Sequence, residues 1–324
     1  MASTNTAALA ERFIDGQYEQ GLADVLRGLL FIPRQLSHTW LYDERGSRLF
    51  EKLCEVPEYY VTRLETQIMQ QHAAEMAALL GDELSIIEYG SGNSQKVRPL
   101  LDALPRLRNY VPIDIAASSL ARTTRAMRRD YPSLNVLPLC ADFVRRLELP
   151  LHAADGTRRL IYFPGSTLGN YERLEAVRLL SSMRALAGTD GKALIGIDLL
   201  KDRAVLERAY DDERGVTAEF NLNALRHVNR RLGIGFDISH FRHRALWVES
   251  QQRIEMHLVS SAHQTIRMGA AVIRLLRGEF IRTECCHKYT PDAFAILAAE
   301  AGWRVQARFS DERGWFAVML LNAA

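Results

Sequence analysis

Five short apolar runs set the rhythm of the middle of the chain: LSIIEYGSG, YVPIDI, NVLPLCADF, RRLIYFPGSTLGN and GKALIGIDLL. Segments with helical spacing of apolar positions fall between them, SQKVRPLLDAL, AASSLARTTRAMRRDY and RLEAVRLLSSMRALA. Strand-sized runs alternating with helices of this length predict βαβ units and a parallel, doubly wound α/β sheet. Ahead of it, HTWLYDERGSRLFEKLCEVPEYYVTRLE is helix-like until Pro57 and the paired tyrosines interrupt it. Beyond Leu200 the rhythm changes to a long helical stretch, VLERAYDDERGVTAEFNLNALRHVNRRLG, then to short strand-like pieces, RALWVES, QRIEMHLVSS and HQTIRM. That part predicts an inserted or appended α+β unit. The chain then returns to a helix, PDAFAILAAEAG, and to WRVQARFSDERGWFAVMLLN, which reads as a terminal β-hairpin.

Composition narrows the classes. With 324 residues, 48% of them hydrophobic and 25% charged, the chain can bury a substantial core without staples. The net charge is +2, and the cluster Arg122, Arg125, Arg128 and Arg129 reads as one solvated helix face, so no nucleic-acid partner is expected. No apolar run approaches the ~20 residues of a membrane span, so no membrane partner is expected either. The first thirty residues mix charges and lack the plan of a signal peptide, which points to the cytoplasm. A monomer is expected. Cysteines stand only at 54, 140, 285 and 286, too few and too uneven for a disulfide framework. The adjacent Cys285 and Cys286, if on a strand, face opposite ways, and neither a zinc-ligand spacing nor a redox pair results. No metal is expected.

The candidate chemistry lies at the ends of the apolar runs. Glu88-Tyr89-Gly90-Ser91-Gly92 follows the first run and opens toward a helix, where glycines let a backbone approach a ligand closely. The third glycine of a dinucleotide fingerprint is missing, since residue 95 is Gln. An acidic-x-Gly-x-Gly turn is instead the usual loop for S-adenosylmethionine. Asp114, at the end of the next run, can accept both ribose hydroxyls, and Asp142-Phe143, one run further, offers a carboxylate for the adenine amine and a ring beside the base.

These residues stand among longer segments: LYDERGSRLFEKLCEVPEYYVTR, IEYGSGNSQK, YVPIDI, ADF, FPGSTLGN, DLLKD, AYDDERGVTAEFN, RIEMHL and TECCHKYT. In that order they resemble the histidine Nα-methyltransferases of ergothioneine biosynthesis, which use S-adenosylmethionine to make the betaine hercynine. The resemblance runs from about Tyr42 to the C-terminus. It implies a Rossmann-like class I methyltransferase sheet, from residues 63–200 and 288–324, and a second α+β substrate-binding domain, from residues 10–62 and 201–287, with the amino acid between them. It implies S-adenosylmethionine contacts at Gly90, Lys96, Asp114, Asp142 and Phe143. Tyr59, Asn170 and Tyr210 are implied as the catalytic residues that hold the amino acid end, with Tyr42, Met256, Glu284 and Cys286 around the side chain. Two positions depart from the family: Cys286 stands where a serine is common, and Pro164 where an apolar residue is more frequent. The alternatives are the same chemistry on tryptophan or tyrosine, or a noncatalytic protein that binds S-adenosylmethionine.

Overall fold

The computed structural model describes residues 18–81, 83–145, 147–150, 158–269 and 271–324. The reading of the first thirty residues and the start of the expected 10–62 segment fall partly on residues 1–17, outside the described residues. The elements run in order α1 (18–30), α2 (Glu44–Leu53), α3 (Tyr60–Leu80), β1 (Leu84–Tyr89), α4 (Arg98–Ala103), β2 (Asn109–Asp114), α5 (Ala117–Asp130), β3 (Asn135–Val136) and β4 (Leu139–Cys140). Then come β5 (Arg158–Phe163), α6 (Arg173–Ala187), β6 (Lys192–Asp198), α7 (Arg203–Tyr210), α8 (Val216–Leu232), β7 (Phe241–Val248) and β8 (Arg253–Ser260). The chain ends with β9 (Gln264–Met268), β10 (Ala271–Leu275), β11 (Phe280–His287), α9 (Pro291–Glu300), β12 (Trp303–Ser310) and β13 (Phe316–Ala323).

Two compact units share these elements. The first takes described residues within Met1–Phe50, Tyr210–Leu246 and Glu255–Glu284; the second takes Glu51–Ala209, Trp247–Ile254 and Cys285–Ala324. The second unit carries an eight-stranded sheet in the order β12-β13-β6-β5-β1-β2-β3, with β4 also on β2. β1, β2, β5 and β6 pair in parallel, and β13 lies antiparallel between β6 and β12. This is the expected doubly wound sheet, with one reversed strand. All six positions of β1 are buried, as expected of a strand covered on both faces, which explains its uninterrupted apolar run. On one face Ile87, Val111, Ile161, Ile195 and Met319 pack with Leu179 and Met183 of α6 and Phe294 and Leu297 of α9.

Gly196 in the middle of β6 serves close approach. A β-carbon there would stand 2.2 Å from Glu65 Oε1, so the missing side chain makes room for a fully buried carboxylate of α3 beside the sheet. Two expectations are corrected at element level. NVLPLCADF is not one strand but two short ones, β3 and β4, because Pro138 between them has no N–H to give the ladder. The helix expected over SQKVRPLLDAL starts only at Arg98, with Pro99 in its first turn, where a missing N–H costs nothing.

The first unit is α+β. It contains α1, α8, the hairpin β9-β10, and most of the three-stranded sheet β11-β8-β7. The segment AYDDERG ends in a built helix start. Asp212 accepts from the Val216 and Thr217 N–H groups at 3.0 and 2.7 Å, taking two donors that the first turn of α8 cannot pair internally. Asp43 does the same at α2 through the Gly46 N–H at 2.7 Å, and also receives Asn223 Nδ2 of α8 at 2.8 Å. No helix among the described residues is long and apolar enough to cross a membrane.

Candidate active site

In the second unit the carboxyl ends of β1, β2 and β4 carry the glycine loop and its two acids. Gly90 and Gly92 turn the chain with φ of 71° and 52°, in the left-handed region that a β-carbon disfavours. The Gly90 and Ser91 N–H groups both donate to the Ile113 carbonyl, at 2.9 and 3.0 Å, fastening the loop to the end of β2. Asp114 completes that attachment: Oδ2 accepts from Gly92 N and Oδ1 from Ala116 N, each at 2.9 Å. Burial raises the Asp114 pKa, and the N–H groups of Ala116 and Gly92 oppose the rise. Each oxygen keeps a second lone pair, so the carboxylate can hold the loop and still receive two hydroxyls. Asp142 accepts from Val144 N at 3.1 Å, and the Phe143 ring lies 5.5 Å from Tyr89 and 5.6 Å from Phe163, centroid to centroid. A β-carbon at Gly90 would touch the Phe143 ring at 3.7 Å, so the loop and the aromatic face adjoin. Between the two glycines, Ser91 Oγ is buried with no hydrogen-bond partner among the described residues. An orphaned hydroxyl amid polar acceptors fits a loop that receives a polar ligand such as the S-adenosylmethionine ribose and amino acid tail.

Lys96 is turned inward. Its Nζ lies 2.8 Å from Glu65 Oε2, the same oxygen that accepts the Gly165 N–H at 2.8 Å. Burial lowers its pKa, but the Glu65 carboxylate outweighs that and holds it above the usual lysine value. Lys96 therefore ties α3 to the loops after β1 and β5. Beneath the glycine loop, Glu88 is wholly buried against the Tyr110 hydroxyl, and burial pushes its pKa up to about 8. That rise favours the protonated carboxyl near neutral pH.

A second cluster forms after β6. Asp198 accepts from Lys288 Nζ at 2.7 Å, from the Tyr60 hydroxyl at 2.9 Å and from Lys201, while its own N–H donates to Ser166 Oγ at 2.9 Å. Burial pulls its pKa upward, but the Lys288 and Lys201 ammoniums hold it below the usual carboxylate value. Around this acid the chain gathers three stretches that carry expected residues. Tyr59, 6% exposed, directly precedes Tyr60. Asn170 ends the short turn Thr167–Asn170, which begins next to Ser166. Cys286 Sγ receives Lys288 Nζ at 3.2 Å and lies 3.0 Å from where a β-carbon on Gly169 would be.

The first unit holds the remaining expected residues. Tyr42 meets Phe220 and Phe50 edge-on at 5.5 and 5.7 Å, which builds one aromatic wall. Tyr210 ends α7, and its carbonyl accepts from His243 Nε2 at 2.8 Å. Met256 on β8 is 2% exposed, and its carbonyl accepts from the hydroxyl of Thr283, the residue before the half-buried Glu284. The expected substrate residues thus divide, with Tyr42, Tyr210, Met256 and Glu284 in the first unit and Tyr59, Asn170 and Cys286 in the second.

Sequence reasoning missed Ser91, Glu65, Asp198, Lys201 and Lys288. Asp198 did carry a signal, because it ends β6 as Asp114 ends β2. Glu65 carried none, since an acid in a helix reads as solvated surface.

A family model described as histidine-specific methyltransferase, SAM-dependent, matches residues 22–323. The chain is 39% identical over 303 residues to the histidine N-alpha-methyltransferase of Mycobacterium tuberculosis, covering 92% of this chain and 93% of that one. To the histidine N-alpha-methyltransferase of Mycolicibacterium smegmatis it is 38% identical over 302 residues, with 92% and 93% covered. Ergothioneine biosynthesis protein 1 of Neurospora crassa is 33% identical over 256 residues, which are 73% of this chain and 29% of that longer protein. The match spans the glycine loop, the acids at the strand ends and both units, and on it the chain belongs to the family of S-adenosylmethionine-dependent histidine-specific methyltransferases.

Proposed function

We propose that this protein methylates the α-amine of L-histidine three times to give hercynine, the betaine on the route to ergothioneine. The observation that carries the reading is the family match over residues 22–323, together with the polar ladder at the strand ends. Bound S-adenosylmethionine would supply a sulfonium methyl carbon for in-line attack by the amine lone pair, the carbon–sulfur bond breaking as the nitrogen–carbon bond forms and S-adenosylhomocysteine leaving. Gly90 and Gly92 let the loop backbone close on the cofactor, Asp114 takes its ribose hydroxyls, and Asp142 and Phe143 receive the adenine. Lys96, held by Glu65 beside the loops after β1 and β5, completes the cofactor set.

The nucleophile must be a neutral amine. The α-ammonium of a free amino acid is mostly protonated at pH 7, so the site must favour the minor neutral form and let the proton escape. Tyr59, Asn170 and Tyr210 orient the amino acid end in this reading. The Asn170 amide offers donor and acceptor together, and tyrosine rings attract the methylammonium that forms. Such contacts continue to serve as N–H donors are lost with each round, because the charge persists. Glu284 accepts the imidazole N–H and leaves a costly unpaired acceptor when an apolar side chain is bound instead. Tyr42, Met256 and Cys286 shape the rest of the side-chain pocket.

Mass spectrometry of the purified protein with S-adenosylmethionine and each of the twenty amino acids tests this. Histidine is expected to gain up to three methyl groups. A gain on tryptophan or tyrosine with none on histidine would replace the substrate, and no gain on any amino acid would leave a noncatalytic binder.

A further inference from the structure

Alternation along β11 sends Cys285 and His287 to one face of the strand and Cys286 to the other. On the first face stands Glu172, the residue that caps α6, and the donor atoms of Glu172, Cys285 and His287 lie within 4.8 Å of one another. We propose that these three side chains form a binding site for a divalent ion of the Zn(II) class, next to the turn that carries Asn170. The inference is independent of the methyl-transfer reading.

The donors are already oriented. His287 Nδ1 lies 3.2 Å from the Gln251 carbonyl, so the proton sits on Nδ1 and the lone pair on Nε2. Nε2 is buried, has no hydrogen-bond partner among the described residues, and lies 3.7 Å from Glu172 Oε2. That distance is too long for a hydrogen bond. It is close to the spacing of two donors that each sit about 2 Å from one tetrahedral ion. A ring nitrogen held by a backbone carbonyl while its partner nitrogen faces outward is the usual support of a metal-binding histidine. Arg253 Nη1 grips Glu172 Oε1 at 2.7 Å, the oxygen other than the one beside the imidazole. Cys285 Sγ lies 3.5 Å from the Asn170 carbonyl, to which its thiol donates.

One thiolate, one imidazole and one carboxylate suit Zn(II) or Co(II), not Mg(II) or Ca(II), which prefer all-oxygen shells. On binding, the sulfur–hydrogen bond gives way to a sulfur–metal bond and the proton passes to solvent, while water completes the fourth position. The ion would sit beside the Asn170 turn, held by three side chains that the methyl-transfer reading does not use.

The test is a Co(II) titration of the reduced full-length protein, followed by absorbance. One equivalent is expected to produce a thiolate-to-cobalt charge-transfer band together with the d–d bands of a tetrahedral ion, and Zn(II) should displace both. Cys285→Ser should abolish the charge-transfer band, and Cys140→Ser, at the exposed thiol, should leave it intact. His287→Gln alters a partly buried side chain and should weaken Co(II) binding at least about tenfold while the band persists at saturation. No band in the parent protein, a band that survives Cys285→Ser, or unchanged affinity in His287→Gln would overturn the site.

Discussion

Asp114 has two tasks at once: it fastens Gly92 and Ala116, and in the proposed reading it takes the ribose. Asp114→Asn keeps one acceptor and the shape, whereas Asp114→Ala removes both. Calorimetry with S-adenosylmethionine should show the alanine variant binding at least about tenfold more weakly, a loss of roughly 1.4 kcal/mol or more. Undiminished binding would remove Asp114 from the cofactor site. For the side-chain pocket, Glu284→Ala should raise the KM for histidine far more than it changes cofactor affinity; unchanged histidine kinetics would sink that role. Cys286→Ser exchanges a weak hydrogen-bonding thiol for a hydroxyl beside the Lys288 ammonium. A lower KM for histidine is expected, and an unaltered one would make the thiol a tolerated variation.

At the scale of elements, the acids at the strand ends were legible because a parallel sheet must present its ligand at the carboxyl ends of its strands. What was hidden depended on partners far away in sequence. Alternation in β11 correctly separated Cys285 from Cys286, yet the same rule that parts neighbours joins Cys285 to His287, and Glu172 arrives from another segment altogether. Asp198 looked like one more acid at a strand end, and only packing shows that two lysines and a tyrosine converge on it. Removing a partner from a buried charge cluster leaves uncompensated charge, so Asp198→Ala should cost about 3–5 kcal/mol in urea unfolding. A loss under about 1 kcal/mol would mean that the lysines find other acceptors.

Over the whole molecule, each unit is assembled from three separate stretches of chain, so neither can be excised as one continuous fragment. Stability is therefore best read from the intact protein, and Glu88 gives it a pH dependence. Its folded pKa of about 8 lies above the ordinary carboxylate value, so the folded state holds a proton that the unfolded chain has released between about pH 4.5 and 8. This group's contribution falls as pH rises through that window, by at most about 1.4 kcal/mol per pH unit, and levels off above it. Asp198 works in the opposite direction, with its contribution lost in acid below the ordinary carboxylate range. Glu88→Gln should flatten the fall when urea unfolding is compared at about pH 5.5 and 8. An unchanged slope would show that Glu88 is not its source.

The contact between Glu65 and the two loops has a consequence for variation. One carboxylate on α3 holds both Lys96 and Gly165, and its place exists because residue 196 lacks a side chain. A screen that selects on cofactor affinity should therefore recover changes at Glu65 and Gly196, although neither residue belongs to the glycine loop. Such hits would look like remote modulators while reporting only how firmly that loop is anchored.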